Sequence, residues 1–203
     1  MPQNKDLKRL VRTRMAETGE NYTQALARVR ALEAGERLDR LPPAWHLTGS
    51  HYRDYEVGLL PGAAPDGRRV ARLRLRPDVG QSSGFGALMQ SIAATRYRGR
   101  RIRYRGLLRA HQVTGWGGLW LRADGPRGPL SLDNMRDRPV RGTTAWTEAS
   151  IVLDVPEEAE SLHFGTLLSG GGALDLAQPE FEEAAAVPVT GPVLPDEPQA
   201  LDF

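Results

Sequence analysis

The chain has 203 residues, 40% hydrophobic and 26% charged, with 22 Gly, 15 Pro and no Cys. This composition suits an ordinary soluble protein with one good core and an appendage, and it excludes a disulfide framework, a thiol nucleophile and any Cys-based metal site. The net charge of +2 hides an asymmetry: residues 1–141 hold all 27 bases and 13 acids, and residues 142–203 hold the other 12 acids and no base. Either the basic part offers a face to an anion such as nucleic acid, or the acidic C-terminal part lies along a basic sheet face; internal pairing of this kind is the expectation. No run of 18 apolar residues occurs, so no membrane helix is expected. The opening MPQNKDLKRLVRTR lacks an apolar signal stretch, which makes the cytoplasm the expected compartment.

Residues 5–36 read as two helices. Leu7, Leu10, Val11 and Met15 form one narrow stripe at helical spacing, and Gly19 supplies a stop. Ala25, Leu26, Val29 and Leu32 form a second stripe behind Asn21 or Thr23 as N-cap, ended by Gly35. Helices of this length need something to pack against. The stretch ERLDRLPPA then reads as a linker, so residues 1–40 are expected to form an N-terminal helical pair.

From Trp45 to about Ala185 the pattern changes to short period-two runs punctuated by Gly, Pro, Asp and Asn. Candidate strands are 55–58, 69–75, 84–92, 101–110, 116–123, 129–134, 149–155, 161–168 and 173–182. Short strands without intervening helices predict a mainly β domain over 45–185, an antiparallel sandwich or barrel. Residues 186–203 are rich in proline, lack periodicity and read as a disordered tail.

The strand in GWGGLWLRADG carries the most information. Alternation puts Trp116, Gly118, Trp120 and Arg122 on one face and Gly117, Leu119, Leu121 and Ala123 on the other. Two indoles beside a guanidinium suit a flat, hydroxylated or anionic ligand, and Gly118 leaves a hollow between them. The alternative for each Trp is the sandwich interior. The next segment holds Asp133, Asn134, Arg136, Asp137 and Arg138, residue types that also build turns and pin loops. Its place beside the Trp–Arg strand puts Asp133 and Asn134 at the rim of the candidate site.

Seven arginines and no acid lie between Arg96 and Arg109. On a strand, Arg101, Arg103, Arg105 and Arg109 share a face. The expectation is a solvated face paired with Asp154, Glu157, Glu158 and Glu160, the alternative being contact with a phosphate backbone. The four histidines are scattered, and no nucleophile elbow, phosphate loop or dinucleotide fingerprint is present. No enzymatic activity, metal or other cofactor is expected.

Several words carry a family resemblance: YEVG (55–58), SSGFGALMQSIAATRYRGRRIR (82–103), GWGGLWLRADGP (115–126), LDNMRDRPVRGTTAW (132–146), VLDVPEEAESLHFGTLLSG (152–170) and the pair Phe181–Glu182. Through them residues 45–185 resemble a domain that follows the DNA-binding part of some bacterial AraC-type transcriptional regulators. The resemblance implies a galactose-binding-like jelly roll with a ligand-sensing or carbohydrate-binding role. Two departures stand out. Asp175, Ala177 and Gln178 occupy places where the family has an aromatic residue and an Asp pair. The 44 residues before Trp45 are also too few for the family's two helix-turn-helix units. The resulting expectation is a non-enzymatic sensory module for a small polar or carbohydrate-like molecule, with a regulatory role. A protein partner would meet the N-terminal helices, and no membrane is involved. The alternative is a DNA-binding regulator using those helices, with nucleic acid the less favoured partner.

Overall fold

The structure, a computed structural model, describes residues 38–191 throughout, and before them positions 8, 9, 11–13, 15, 16, 19, 21–23, 25 and 26. The chain divides into two compact units, 1–38 and 39–203. In the first, positions 8, 9, 11–13, 15 and 16 are helical, as are 22, 23, 25 and 26. Gly19 separates the two helical stretches at φ 68°, and its N–H bonds to the Met15 carbonyl at 3.0 Å. A glycine takes this left-handed turn without a Cβ clash and so ends a helix. Val11 and Ala25 are fully buried with Met15 and Leu26 against them, as the stripes require. Leu7, Leu10, Val29, Leu32 and the arginines Arg14, Arg28 and Arg30 lie outside the described residues.

The second unit is an antiparallel sandwich. Its described strands are β1 (Trp45–Thr48), β2 (Tyr55–Leu60), β3 (Val70–Leu75), β4 (Phe85–Ala93), β5 (Arg101–His111), β6 (Val113–Gly125), β7 (Gly128–Asp133), β8 (Val140–Gly142), β9 (Thr147–Asp154), β10 (Ser161–Ser169) and β11 (Ala173–Glu183). One sheet runs β1-β4-β10-β6-β7, with β8 also on β6; the other runs β2-β3-β11-β5-β9. Most consecutive strands pass between the sheets, as in a jelly roll, while β2–β3 and β6–β7–β8 stay within one sheet. Strict alternation along β5 turns Ile102, Tyr104, Leu108 and Ala110 inward. They meet Leu88, Leu119, Leu121, Leu162, Phe164 and Leu168 of the facing sheet. Among the described residues no helix is long and apolar enough to cross a membrane.

Three boundaries differ from expectation. Asp39 exchanges both backbone hydrogen bonds with Leu59 at 2.8 Å, and Leu41 packs on the core. The sandwich therefore begins inside the expected linker. The short strands β1 and β8 were not among the expected ones. At the other end, the expected disordered tail is docked as far as Thr190. The Thr190 N–H bonds to the Val152 carbonyl at 3.0 Å. Its hydroxyl accepts the Val152 N–H at 2.8 Å and donates to Asp133 at 2.7 Å. Partners on β9 satisfy this backbone in spite of its prolines. Ending the chain after Ala185 is expected to cost about 1–3 kcal/mol, since the Val152 N–H and Asp133 lose partners. A urea midpoint unchanged by that truncation would show the segment to be a free tail after all.

The arginine strip is paired, in line with the expected reading, but mostly to other acids. Arg101 bonds Asp154 at 2.7 Å, Arg103 pairs with Glu182, and Arg105 reaches Glu180 and Glu148. The acids come from β9 and β11, the strands flanking β5. Glu157, Glu158 and Glu160 instead lead into β10 of the other sheet, where the backbone of residue 160 bonds to Asp124 and Ala94.

Candidate functional site

The face of the six-stranded sheet turned away from the core carries a second, smaller apolar cluster. Trp116, Gly118, Trp120 and Arg122 all lie on it, because Leu119, Leu121 and Ala123 of the same strand face the core. Register then decides their neighbours. Trp120 lies opposite Gly165, which lies opposite Met89; Arg122 lies opposite His163, which lies opposite Ser91. With no side chain at 165, the Trp120 indole crosses β10 and donates its Nε1–H to the Leu88 carbonyl at 3.3 Å. Ala87, Leu167 and Trp120 are all more than 90% buried here, with Phe85, Met89 and Trp116 against them.

Above this floor is a cavity of about 470 Å³, within the range of small-molecule sites. Its apolar lining is Phe85, Ala87, Met89, Trp120, Leu132 and Leu167; its polar rim includes Thr48, Ser50, Arg122 and Asn134. Of the five residues singled out from sequence, Trp120, Arg122 and Asn134 line the cavity. Trp116 packs beside the cluster at the far end of the strand and does not line it.

Asp133 is a correction. Leu132 pairs with Arg122, and Asp133 with Leu121, whose side chain faces the core. Asp133 is accordingly turned inward and 5% exposed. It accepts hydrogen bonds from the Met135 N–H at 2.9 Å, Arg138 at 2.5 Å and Thr190 at 2.7 Å. It anchors the 133–138 loop and is not a rim residue. The hollow expected at Gly118 is also filled from within: a Cβ there would lie 3.0 Å from the Met135 Cβ. The Met135 sulfur accepts the Leu119 N–H at 3.3 Å. The threonines that end the LDNM…GTT word are scaffold as well. The Thr143 and Thr144 hydroxyls accept the Gln112 and Ala110 N–H groups, each at 3.0 Å.

Charges at the cavity edge are balanced locally. Arg122 Nη2 donates to Asp124 Oδ2 at 2.7 Å; Nε lies 2.7 Å from Oδ1 without hydrogen-bond geometry. Asp124 is also 3.4 Å from His163 Nε2. His163 bonds Ser91 at 2.8 Å and Ser161 at 3.0 Å. Burial, together with Arg122 and His46, outweighs the opposing pull of Asp124 and holds the His163 pKa below its ordinary value. The imidazole is therefore neutral at pH 7.

A second polar cluster sits on the outer face of the other sheet, and sequence reasoning missed it. Asp175 is fully buried and lies between Arg72 and Arg109 on the flanking strands. It accepts hydrogen bonds from Arg72 at 2.6 and 2.9 Å and from Arg109 at 2.9 Å, with His111 at 2.8 Å. Burial opposes its charge, but the hydrogen bonds from Arg72, His111 and Arg109 prevail and hold its pKa well below the usual carboxylate range. The Arg109 guanidinium also lies 4.4 Å from the centroid of the Trp146 ring. An Asp between leucines in ALDLA, with arginines at period-two positions on other strands, was the available signal.

No protein-family model matches the chain. The chain is 33% identical over 190 residues to the uncharacterized HTH-type transcriptional regulator YbfP of Bacillus subtilis (strain 168), covering 90% of this chain and 63% of that protein. It thus spans about 63% of the length of the curated relative it matches, in line with the resemblance to a regulator-associated domain. Among solved structures, the sandwich is similar to the xylan-binding domain from CBM 22 (TM-score 0.52, 14% identity, 74% of this chain and 96% of that one). It is similar to the CBM22-1 xylan-binding domain from Paenibacillus barcinonensis Xyn10C (0.51, 12%, 73% and 91%). It is also similar to the enzymatically active domain of bacteriophage CBA120 tailspike protein 4 (0.53, 15%, 70% and 20%). At these identities the likeness is one of fold: a β-sandwich of the kind found in carbohydrate-binding modules.

Proposed function

We propose that the cavity on the open face binds a small, neutral, hydroxylated ligand of carbohydrate type without transforming it, and that this binding serves a regulatory role. The observation that carries the reading is the cavity itself: an apolar floor fixed by strand pairing, with hydrogen-bonding groups at its two edges. Xylan-binding domains with the same sandwich and an HTH-type regulator as sequence relative support it. Arg122 is the one ionisable side chain among the described lining residues. Among the described residues the lining itself brings no pair of carboxyl groups of the kind glycoside cleavage uses, which supports binding without transformation. Because Asp124 already neutralises Arg122, the reading narrows to hydroxyl recognition rather than capture of an anion. The β5 arginines are engaged by acids, which favours a sugar at the cavity over nucleic acid on that face.

The test is a thermal-shift screen with neutral mono- and oligosaccharides, repeated on Arg122→Ala. A ligand at a hundred times its Kd adds about 2.7 kcal/mol to the folded state, a rise in Tm of roughly 5–10 °C for a domain this size. Arg122→Ala should remove that rise. Its own effect on stability should stay within about 1 kcal/mol, as for a partly exposed ion pair. A screen with no response, or a response that survives Arg122→Ala, would overturn the proposal.

A further inference from the structure

We infer that the ligand is amphipathic: a neutral monosaccharide unit carrying a short apolar substituent, with the sugar at the Arg122–Asn134 rim and the substituent on the floor. The inference rests on the carbohydrate reading above and goes further by assigning the apolar floor of the cavity to something other than sugar.

Three observations carry it. The first is which surfaces the floor offers. Trp120, the aromatic ring expected to stack on a pyranose, is only 7% exposed and is committed through its N–H to Leu88. What remains open is apolar with Phe85 as its one partly exposed ring: Met89, and Leu132, which is more than half exposed. Apolar walls reward the burial of hydrocarbon rather than of a hydroxylated ring, and methionine adapts to irregular apolar shapes.

The second is exposure at the cavity edge. Leu132 is 52% and Leu130 38% exposed, both on β7. Leu132 lies directly opposite Arg122, so the apolar wall begins where the polar rim ends. A ligand spanning both would cover Leu132 while satisfying the guanidinium.

The third is volume. The cavity of about 470 Å³ lies within the range of small-molecule sites, and a single monosaccharide ring at the Arg122–Asn134 rim leaves part of the floor for a short apolar substituent. The charge balance of Arg122 with Asp124 selects a neutral sugar over a uronate or a sugar phosphate.

The experiment is calorimetric titration of the full chain with glucose, then methyl, ethyl, propyl and butyl glucosides, and butanol, all far below any micellar concentration. The same series in galactose and xylose guards against a wrong choice of sugar. Affinity is expected to rise about threefold to fourfold per added carbon that the floor buries, the value of one buried methylene. Leu132→Ser should flatten that slope, costing the butyl glycoside more affinity than it costs the free sugar. Arg122→Ala should weaken every glycoside by a common factor. Free sugars binding as tightly as their butyl glycosides would overturn this inference and leave the carbohydrate reading standing. Butanol binding as tightly as the butyl glycosides would overturn both, as would a series in which nothing binds.

Discussion

Asp175→Ala is expected to cost about 3–5 kcal/mol, the penalty for removing one partner from a buried ion pair. The carboxylate is fully buried, whereas Arg72 and Arg109 keep 11% and 27% of their side-chain surface. Removing the anion takes away the carboxylate that Arg72 and Arg109 share. Asp175→Asn keeps the volume and removes the charge, and should fall between the wild type and the alanine variant. The pH dependence has a definite sign. The folded pKa lies below the unfolded one, so the contribution is complete above the ordinary carboxylate value of about 3.9. It is lost as pH falls from there toward the folded pKa. Urea midpoints measured from pH 7 to pH 3 should therefore fall more steeply for the wild type than for Asp175→Asn. Parallel curves would mean that the cluster contributes no net stability.

Trp120→Ala is the second large effect, and it separates two readings that alternation leaves open. A site tryptophan on an open face should affect binding and spare stability; a core tryptophan should do the reverse. The structure combines them: Trp120 is on the open face, yet buried in its own cluster with its N–H satisfied by Leu88. Its truncation is expected to cost about 3 kcal/mol, the lower end for a buried aromatic, and to abolish ligand binding because the floor collapses. Trp120→Phe should recover part of the stability while leaving the Leu88 carbonyl without its indole donor. Denaturation of Trp120→Ala alongside Arg122→Ala decides the matter. Equal midpoints for the two would show that the indole does not hold the floor.

Period two made most of the sandwich readable, because each long strand buries one face. The two unexpected strands fail that criterion. β8 has three residues and pairs with β6 at only two positions around an irregularity, and β1 follows two prolines and spans four residues. The site was legible only along its own strand. Trp120 and Arg122 came from alternation on β6, whereas Ala87, Met89 and Leu167 come from β4 and β10. Their side chains meet Trp120 through a register that no single strand encodes. The same gap misplaced Asp133, whose sequence neighbour Asn134 lines the cavity while register turns the aspartate inward. It also hid Asp175, whose partners lie 103 and 66 residues away in the chain.

Gly165 fixes what variation at this site can achieve. A Cβ at that position would lie 1.9 Å from the Leu88 carbonyl oxygen, a collision with backbone that no rotamer relieves. The same oxygen receives the Trp120 indole. The floor at Gly165 is thus tied to the backbone, because any side chain there would have to break the pairing of β4 with β10. Descendants of this scaffold that acquire new ligands would change elsewhere, at Met89 and Leu167 on the floor and at Leu132 and Asn134 on the flank. The fold holds position 165 to glycine, and these four positions are left to set the outline of the molecule that fits.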